Sequence, residues 1–395
     1  MSLKVGIGFS DGSDAHAVGV NACQEAFRKM AGETPIFGLV FVSSGYEHEK
    51  AIEGIQSVLK GVPLLGSSSA DGIICEGINI KKSIVVVLLS GKDIFFSSSV
   101  KELDTEAQGE TIESICERII RELGGKPDLT LMFTDILSKF PQHRLVRDIQ
   151  KLTGSMVFGG ASADSFQFKK TFQYFKNSVR SGSAVFGSIK GSFKFGLGMD
   201  HGMLPVGMPR TITKSEGVHL YHINDKPAIT MYGEYFGYKD LQGFIAEPIA
   251  KMATSYPLGF RWEIGESHIN IRAPLYLESD GSFICNDSVP EGASVQIMIG
   301  DKGEAQKSVQ RASHKAMSML GENEVASLAV MISGAGRKYL YGNNIDDEVK
   351  EVKRIVGHSV PVVGFYSYGN ICAPDFSISD SDLFQDNSVS VCLLK

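Results

Sequence analysis

The sequence predicts an α/β protein made of three repeated β-α-β-α-β units, with a mostly antiparallel β insertion in the C-terminal part. A motif of two apolar residues, a glycine and a serine three places later occurs three times, at Gly66, Gly159 and Gly364. Each glycine follows the start of an apolar run, by 30, 30 and 36 residues. Strands that alternate with helical patterns indicate β-α-β crossovers and largely parallel strands.

Each apolar run is preceded by a strand-like segment and a helical segment. These pairs lie at 4–10 with about 13–30, at 94–100 with about 106–123, and at 295–299 with about 303–320. Two further strand pairs are predicted, one joining 84–89 to 94–100 and one joining 185–189 to 193–198. Between the second and third units, residues from about 205 to 291 change to short strands with hairpin signals, which predicts the antiparallel insertion.

The length and composition are those of a globular protein with two domains. The chain has 395 residues, of which 43% are hydrophobic and 21% charged. This is enough for two cores, and we divide the chain into 1–212, with two repeat units, and 213–395, with the insertion and the third unit. The net charge is −6 without a basic block, so neither nucleic acid nor an anionic membrane is a predicted partner.

The cysteines and the apolar runs predict a cytoplasmic protein. Six scattered cysteines form no C-x-x-C pair, which favours buried thiols over disulfides or a metal site. No apolar run approaches the roughly 20 residues that cross a bilayer. We predict no metal and no cofactor.

The first glycine motif is a candidate ligand-binding segment. It continues as Ser67, Ser68, Ser69, Ala70 and Asp71. Small residues let the backbone approach a ligand, and hydroxyls with a carboxylate add donors and acceptors at the carboxyl end of a parallel strand. The alternative is a tight turn that only packs against its neighbour, and the sequence leaves both interpretations open.

The motifs around Ser69 and Ser367 do not fulfil the requirements of a hydrolase nucleophile. The elbow G-x-S-x-G needs glycine on both sides of the serine. Ala70 occupies the last position around Ser69, and Phe365 occupies the first position around Ser367. We therefore predict no catalytic residue, although an enzyme using a serine, Asp71 and Arg337 stays an alternative.

The third unit adds an arginine, an aromatic wall and a hydroxyl to the candidate site. Arg337 follows the predicted end of a parallel strand, where it could hold a carboxylate through two hydrogen bonds. In that role, its loss would weaken binding and leave the fold intact. The alternative is a surface arginine paired with Asp346 or Glu348. Tyr366 and Ser367 add an aromatic wall and a hydroxyl, as small-ligand pockets often have.

Several motifs in order resemble the FIST family, sensory domains named for F-box and intracellular signal transduction proteins. The resemblance covers nearly the whole chain, as a FIST N part and a FIST C part. Beyond the opening strand and its Ala-rich helix, the matching segments are 66–73, 225–228 with Tyr232 and Gly237, 272–274 before 280–282, 290–292, 333–337 and 364–369. The sequence departs from the family pattern at Gly334 and Ala335, where the family often has Cys, and at Asn370, where it usually has Glu.

The resemblance implies a sensor of small molecules, such as amino acids, without established catalytic residues. Our prediction is a stand-alone sensory domain that binds a small polar ligand and signals through a separate protein. The predicted site lies where the two parts meet and contains Ser67, Ser68, Ser69, Asp71, Arg337, Tyr366 and Ser367. A scaffold protein without a ligand is the remaining alternative.

Overall fold

The computed structural model describes residues 3–76, 78–103, 110–237, 249–261, 268–321 and 323–395. The first unit alternates strands and helices and ends in a hairpin and a return strand. Its elements are β1 (Lys4–Asp11), α1 (Ala15–Lys29), β2 (Phe37–Ser43), α2 (His48–Leu59), β3 (Leu64–Ser69), β4 (Ile73–Cys75), β5 (Ile78–Ile80) and β6 (Ser83–Ser90).

The second unit repeats this order of elements. It consists of β7 (Ile94–Glu102), α3 (Ile112–Glu122), β8 (Leu129–Thr134), α4 (Gln142–Thr153), β9 (Met156–Ala161), β10 (Gln173–Phe175), β11 (Ser178–Arg180) and β12 (Ser183–Gly191).

The third unit is split by the insertion. It begins with β13 (Phe195–Asp200). The insertion follows with β14 (Met203–Glu216), β15 (His219–Ile223), β16 (Lys226–Pro227), α5 (Ile229–Phe236), α6 (Ile249–Ser255), β17 (Leu258–Arg261), β18 (Asn270–Arg272), β19 (Pro274–Leu277), β20 (Phe283–Cys285) and β21 (Ser294–Gly300). The unit resumes with α7 (Lys302–Leu320), β22 (Leu328–Gly334), α8 (Arg337–Tyr341), α9 (Asp346–Val356), β23 (Val362–Ser367), β24 (Asn370–Ala373), β25 (Phe384–Gln385) and β26 (Val389–Leu394).

The helices that open the first and third units begin at side-chain caps. Asp14 accepts a hydrogen bond from the backbone N–H of Ala17 at 2.8 Å, and Asp301 accepts one from Glu304 at 2.9 Å. An N-cap carboxylate satisfies donors that the first turn leaves without a partner. Each helix then buries a stripe of alanines against its sheet, because small side chains allow close packing.

The three units form three sheets of the same design. In chain order of the units, the strand orders are β1-β6-β2-β3-β10-β11, β7-β12-β8-β9-β24-β25 and β13-β26-β22-β23-β4-β5. Among the described strands, only the pairs β2–β3, β8–β9 and β22–β23 are parallel. The described strands of the insertion form a fourth, fully antiparallel sheet. The predicted fold class is therefore confirmed, whereas the expectation of largely parallel strands is wrong, because most of the described strand pairs are antiparallel.

The units exchange hairpins in a cycle. The hairpin β4–β5 of the first unit extends the third sheet, the hairpin β10–β11 of the second unit extends the first sheet, and β24–β25 of the third unit extends the second sheet. Each hairpin contains the next two strands of the chain after a glycine motif. The motif therefore marks the point where the chain leaves one sheet for another.

A common core lies between the three sheets, and helices cover their outer faces. Phe41, Phe133 and Phe365 come one from each sheet, and their ring centroids lie 5.0 to 5.8 Å apart. One continuous apolar cluster contains residues from all three sheets. On the outer face of the first sheet, the buried stripes of α1 and α2 form a separate cluster.

The three motif glycines occupy equivalent places, as predicted, but inside strands rather than in turns. Gly66, Gly159 and Gly364 lie opposite Val40, Met132 and Met331 of the neighbouring parallel strand. A Cβ at these glycines would lie 1.9, 1.7 and 1.6 Å from the carbonyl oxygen of that opposite residue. Glycine is required because the two backbones approach closely, and not because of a left-handed turn.

Three local assignments from the sequence are wrong. Residues 295–299 belong to β21 of the antiparallel sheet, and the first strand of the third unit is β13. The strands β6 and β7, and likewise β12 and β13, lie in different sheets and do not form pairs. In each case the sequence pattern shows a strand correctly but carries no information about its distant partner.

A repeated glycine pair identifies β13 as the counterpart of β1. A Cβ at Gly6 or Gly8 would lie 2.3 or 2.0 Å from a backbone carbonyl oxygen of α1, and at Gly196 or Gly198 it would lie 1.9 or 2.0 Å from one of α7. The spacing G-x-G before an Ala-rich helix was the sequence signal for this strand, although about a hundred residues separate β13 from its helix. The division near residue 212 stays a prediction, and β14 runs across it.

Candidate functional site

The segments that follow the three glycines meet at one junction. Three backbone hydrogen bonds connect them in a cycle: Ala70 N–H to Tyr366 O at 3.0 Å, Ala163 N–H to Ser68 O at 3.1 Å, and Tyr368 N–H to Ala161 O at 3.2 Å. Each donor stands four residues after its glycine and each acceptor two residues after. The repeated motif therefore has a structural role in joining the units.

The serines of the first motif are fully buried at this junction. The Ser67 hydroxyl donates to Ser162 Oγ at 2.8 Å, and the Ser68 hydroxyl donates to Ala163 O at 2.8 Å. The Ser69 hydroxyl donates to Gly72 O at 2.5 Å. Ser69 Oγ also accepts from the backbone N–H of Tyr366 at 2.9 Å. These hydroxyls satisfy buried backbone groups, and none of their hydrogen-bond partners among the described residues is a histidine nitrogen.

Tyr366 and Ser367 are also buried at the junction. The Ser367 hydroxyl bonds the side chain of Asn370, whose amide donates to Ile332 O and Ser388 O at 3.0 and 2.9 Å. Within the described chain the Tyr366 hydroxyl is buried without a hydrogen-bond partner, and burial raises its pKa well above the usual value. The third motif is thus part of the interior and not of an open surface.

Arg337 lies in the interior, with every donor engaged. Its Nε donates to Glu348 Oε1 at 2.5 Å, and both side chains are buried. The two terminal nitrogens donate to His201 O, Asn387 O, Ala305 O and Ser308 Oγ. A guanidinium has five N–H donors, so a ligand would have to displace a protein partner. The pairing with Glu348 considered from the sequence exists, but in the core and not at the surface.

Asp71 lines a cavity between the first and third units. The cavity has a volume of about 650 Å³, within the range of small-molecule sites. Its wall also contains Ser43, Ser44, Gly45, Asn79, Lys81, Lys82, Ser165, Lys338, Gly342, Asn343, Ile345 and Asp346. Of the seven residues predicted for the site, Asp71 is the one that lines this cavity.

A chain of hydroxyls leads to the Asp71 carboxylate. Ser165 donates to Asp71 Oδ1, so its oxygen accepts from Ser44 at 2.6 Å. Ser165 follows the glycine motif of the second unit, whereas Ser44 and Asp71 belong to the first. The backbone φ of Asp71 is +50°, a left-handed conformation that aspartate tolerates better than most residues. The carboxylate is thereby held at the rim by two units.

Lys338 of the third unit contacts the first unit at Asp71. Its ammonium group donates to the backbone carbonyls of Ala70 and Asp71 and lies 4.2 Å from the centre of the Tyr366 ring. Burial lowers the pKa of Lys338 to about 8. Lys338 was not among the residues predicted from the sequence, although it directly follows Arg337 in the motif at 333–337.

The cavity has an excess of positive charge. Lys81, Lys82 and Lys338 line it, and no carboxylate of the described chain lies within 4.0 Å of their ammonium groups. Asp71 and Asp346 add two negative charges, and Asp346 accepts from the backbone N–H of Asn79 at 2.8 Å. The wall therefore presents separate groups for an anion and for a cation.

Two other cavities of the molecule lie apart from Asp71. Arg337 borders a different cavity, of about 470 Å³, between the third unit and the antiparallel sheet. A larger one of about 710 Å³ lies on the third unit. Among the described residues, no group of three or more His, Cys, Asp or Glu side chains could hold a metal ion, and no helix there has the length and apolarity to cross a membrane.

The fold and the cavity define a triplicated α/β protein with a charged, ligand-sized crevice between its units. Models of two families match the chain, the FIST N domain over residues 36–226 and the FIST C domain over residues 228–373. The chain therefore belongs to the FIST family, whose domains are linked to sensing and signalling.

Relatives align over most of the chain. The uncharacterized protein MJ1623 of Methanocaldococcus jannaschii is 25% identical over 89% of this chain and 72% of its own length. The uncharacterized protein Mb0898c of Mycobacterium bovis is 22% identical over 93% of this chain and 94% of its own. Among solved structures, a cyanuric acid hydrolase has a TM-score of 0.31 at 14% identity, covering 48% of this chain and 69% of its own, too low to support an argument.

Proposed function

We propose that this protein is a sensory domain that binds a small polar molecule in the cavity lined by Asp71 and Lys338. The ligand class is a molecule with an anionic group and a protonated amine, such as an amino acid or a related metabolite. The observation that carries the proposal is the meeting of the three units at Asp71, on the wall of a ligand-sized cavity.

The charges of the wall support this ligand class. Lys81, Lys82 and Lys338 provide ammonium groups without a carboxylate partner among the described residues. An anionic ligand group would supply that partner, and charged hydrogen bonds are stronger than neutral ones. The other carboxylate oxygen of Asp71, Oδ2, has no hydrogen-bond partner among the described residues, and it is suited to an amine on the same ligand.

Binding at this position would reach all three units. Lys338 already bridges the third unit to the first through the carbonyls of Ala70 and Asp71. A ligand that recruits the ammonium group competes with this bridge, and can thereby shift how the units are held together. The response would be read by a separate signalling protein.

Thermal unfolding of the whole chain with single amino acids tests the proposal. A ligand present at 100 times its Kd stabilises the folded state by about 2.7 kcal/mol. For any amino acid that raises the melting temperature, calorimetry should then show weaker binding by Lys338→Met and by Asp71→Asn, each by about 1.5–3 kcal/mol. Lys350→Met removes an exposed ammonium outside the cavity and should bind as wild type. Equal affinity in all four proteins would refute the proposed site.

A further inference from the structure

A second cavity, of about 710 Å³, lies on the third unit away from Asp71. It is bounded by β13, by the last turns of α7 and by the chain that follows β24. None of the residues predicted from the sequence lines it, and it shares no residue with the first cavity. It therefore requires its own explanation.

The walls of this second cavity are largely apolar. They include Leu197, Met199, Met319, Cys372, Pro374 and Ile378. Burial raises the pKa of the Cys372 thiol to about 12, so this cysteine stays protonated at neutral pH and serves as an apolar wall. Mostly apolar walls with a few converging polar groups are typical of small-molecule sites.

His201 places a neutral donor in the wall. Its Nδ1 accepts from the backbone N–H of Met203 at 2.9 Å, so the proton of the neutral ring is on Nε2. Burial lowers the pKa of His201 to about 4, which keeps the ring neutral at pH 7. Within the described part of the chain, Nε2 has no hydrogen-bond partner. The atom is accessible to solvent.

The carboxylates of the wall already have partners. Asp200 accepts two bonds from Arg311, at 3.0 and 2.9 Å. Asp375 accepts from the backbone and hydroxyl of Ser377. A third, Asp382, lies 3.0 Å from a His268 nitrogen. These three carboxylates are therefore engaged within the protein.

Lys315 keeps donor capacity towards the cavity. Its ammonium group donates to Met199 O at 3.1 Å and lies 3.7 Å from Asp200. An ammonium has three N–H donors, so these two contacts leave one. Lys315 Nζ and His201 Nε2 therefore provide two donors in this wall, which suit an acceptor group on a ligand.

We propose that this cavity binds a small organic acid with an apolar body, whose carboxylate accepts hydrogen bonds from His201 Nε2 and Lys315 Nζ. The apolar walls would bury the body of the acid, and the two nitrogens would orient its head. This site is independent of the cavity at Asp71, so either proposal can fail without the other.

Calorimetry of the full chain with octanoate as the probe tests the site, with octanol as a probe of equal chain length that lacks the carboxylate. Octanoate should bind at least tenfold more tightly than octanol, since only the acid offers a charged acceptor to both donors. Equal affinity for the two probes, or no measurable binding of octanoate, would overturn the proposal.

Three variants and one control locate the binding. Lys315→Met should weaken octanoate binding three- to tenfold, whereas Lys307→Met, an exposed lysine on the same helix but outside the cavity, should not. His201→Asn keeps an acceptor for Met203 N–H and loses the Nε2 donor, so it should also weaken binding. Ser318→Phe would fill the mouth from an exposed position and should abolish binding.

The circular dichroism spectrum of each variant checks its fold before titration. Should the Lys315 and Lys307 variants bind octanoate alike, and Ser318→Phe bind it as wild type, the acid is bound elsewhere and the assignment is wrong. Lys338→Met changes a residue that does not line this cavity, and it should leave octanoate binding unchanged.

Discussion

The ammonium group of Lys338 in the third unit donates a hydrogen bond to the backbone carbonyl of Asp71 in the first unit. The residue before it, Arg337, points into the core and pairs with Glu348. Two adjacent cations in one short helix thus have opposite environments. One stabilises the third unit, and the other lies on the wall of a cavity between units.

Replacing Arg337 should destabilise the fold and not merely a binding site. Arg337→Met leaves the Glu348 carboxylate buried without its cation, which typically costs about 3–5 kcal/mol. Urea unfolding measures this loss. The control Arg354→Met removes an arginine whose side chain is 58% exposed, and should cost no more than about 1 kcal/mol.

The double variant Arg337→Met with Glu348→Gln should recover part of the stability lost in Arg337→Met, because the unpaired charge is removed as well. A stable Arg337→Met protein would contradict the structural role and restore the sequence-based expectation that the fold survives this change.

The motif glycines should resist substitution by alanine. In Gly159→Ala and Gly364→Ala, the new Cβ would lie within 2 Å of a backbone carbonyl of the neighbouring strand, so the strands must separate. Overpacking of a core costs about 1–3 kcal/mol, and backbone atoms yield less readily than side chains. Gly45→Ala, with no atom closer than 3.9 Å, is the control and should change the unfolding free energy by less than about 0.5 kcal/mol.

The buried serine hydroxyls should contribute to stability through the backbone they satisfy. Ser69→Ala removes the acceptor of the Tyr366 N–H, and a buried donor without a partner costs about 1–3 kcal/mol. Thermal unfolding of Ser69→Ala beside the exposed control Ser192→Ala measures the difference. If both variants unfold at the same temperature, the hydroxyl has no such role.

Acid should weaken the fold through His48. This buried side chain bonds the Tyr174 hydroxyl at 2.6 Å, and burial lowers its pKa to about 4, whereas the unfolded value is near 6.5. Between pH 6.5 and pH 4, His48 is protonated in the unfolded chain and neutral in the folded protein. The stability that His48 contributes is therefore complete above about pH 6.5 and is lost as the pH falls to about 4.

The fall of the His48 pKa from 6.5 to about 4 on folding corresponds to a stability change of about 3 kcal/mol. Urea unfolding between pH 7 and pH 4 should show wild type losing this amount relative to His48→Gln, which cannot titrate. Parallel curves for the two proteins would show that His48 does not couple to folding.

The sequence was sufficient for the repeat because each unit encodes it locally. The residues at 66, 159 and 364 must all be glycine for the same reason, because a Cβ there would clash with the opposite carbonyl oxygen. The motif therefore recurs with the same spacing between its glycine and its serine. Alternation of strand and helix patterns likewise depends on neighbouring residues, and the antiparallel insertion was visible from its short strands. The cavity residue Asp71 was found because it directly follows the first motif.

Only the tertiary structure decided which strands pair and which side chains face a cavity. The hairpins after each glycine have their hydrogen-bond partners in another unit, and β13 is separated from α7 by the whole antiparallel sheet. Arg337 and Lys338 are both cations in one motif, yet Arg337 pairs with the Glu348 carboxylate and Lys338 donates to the backbone carbonyl of Asp71. Strand pairing and side-chain burial depend on contacts between residues far apart in the chain, and a local pattern does not contain them.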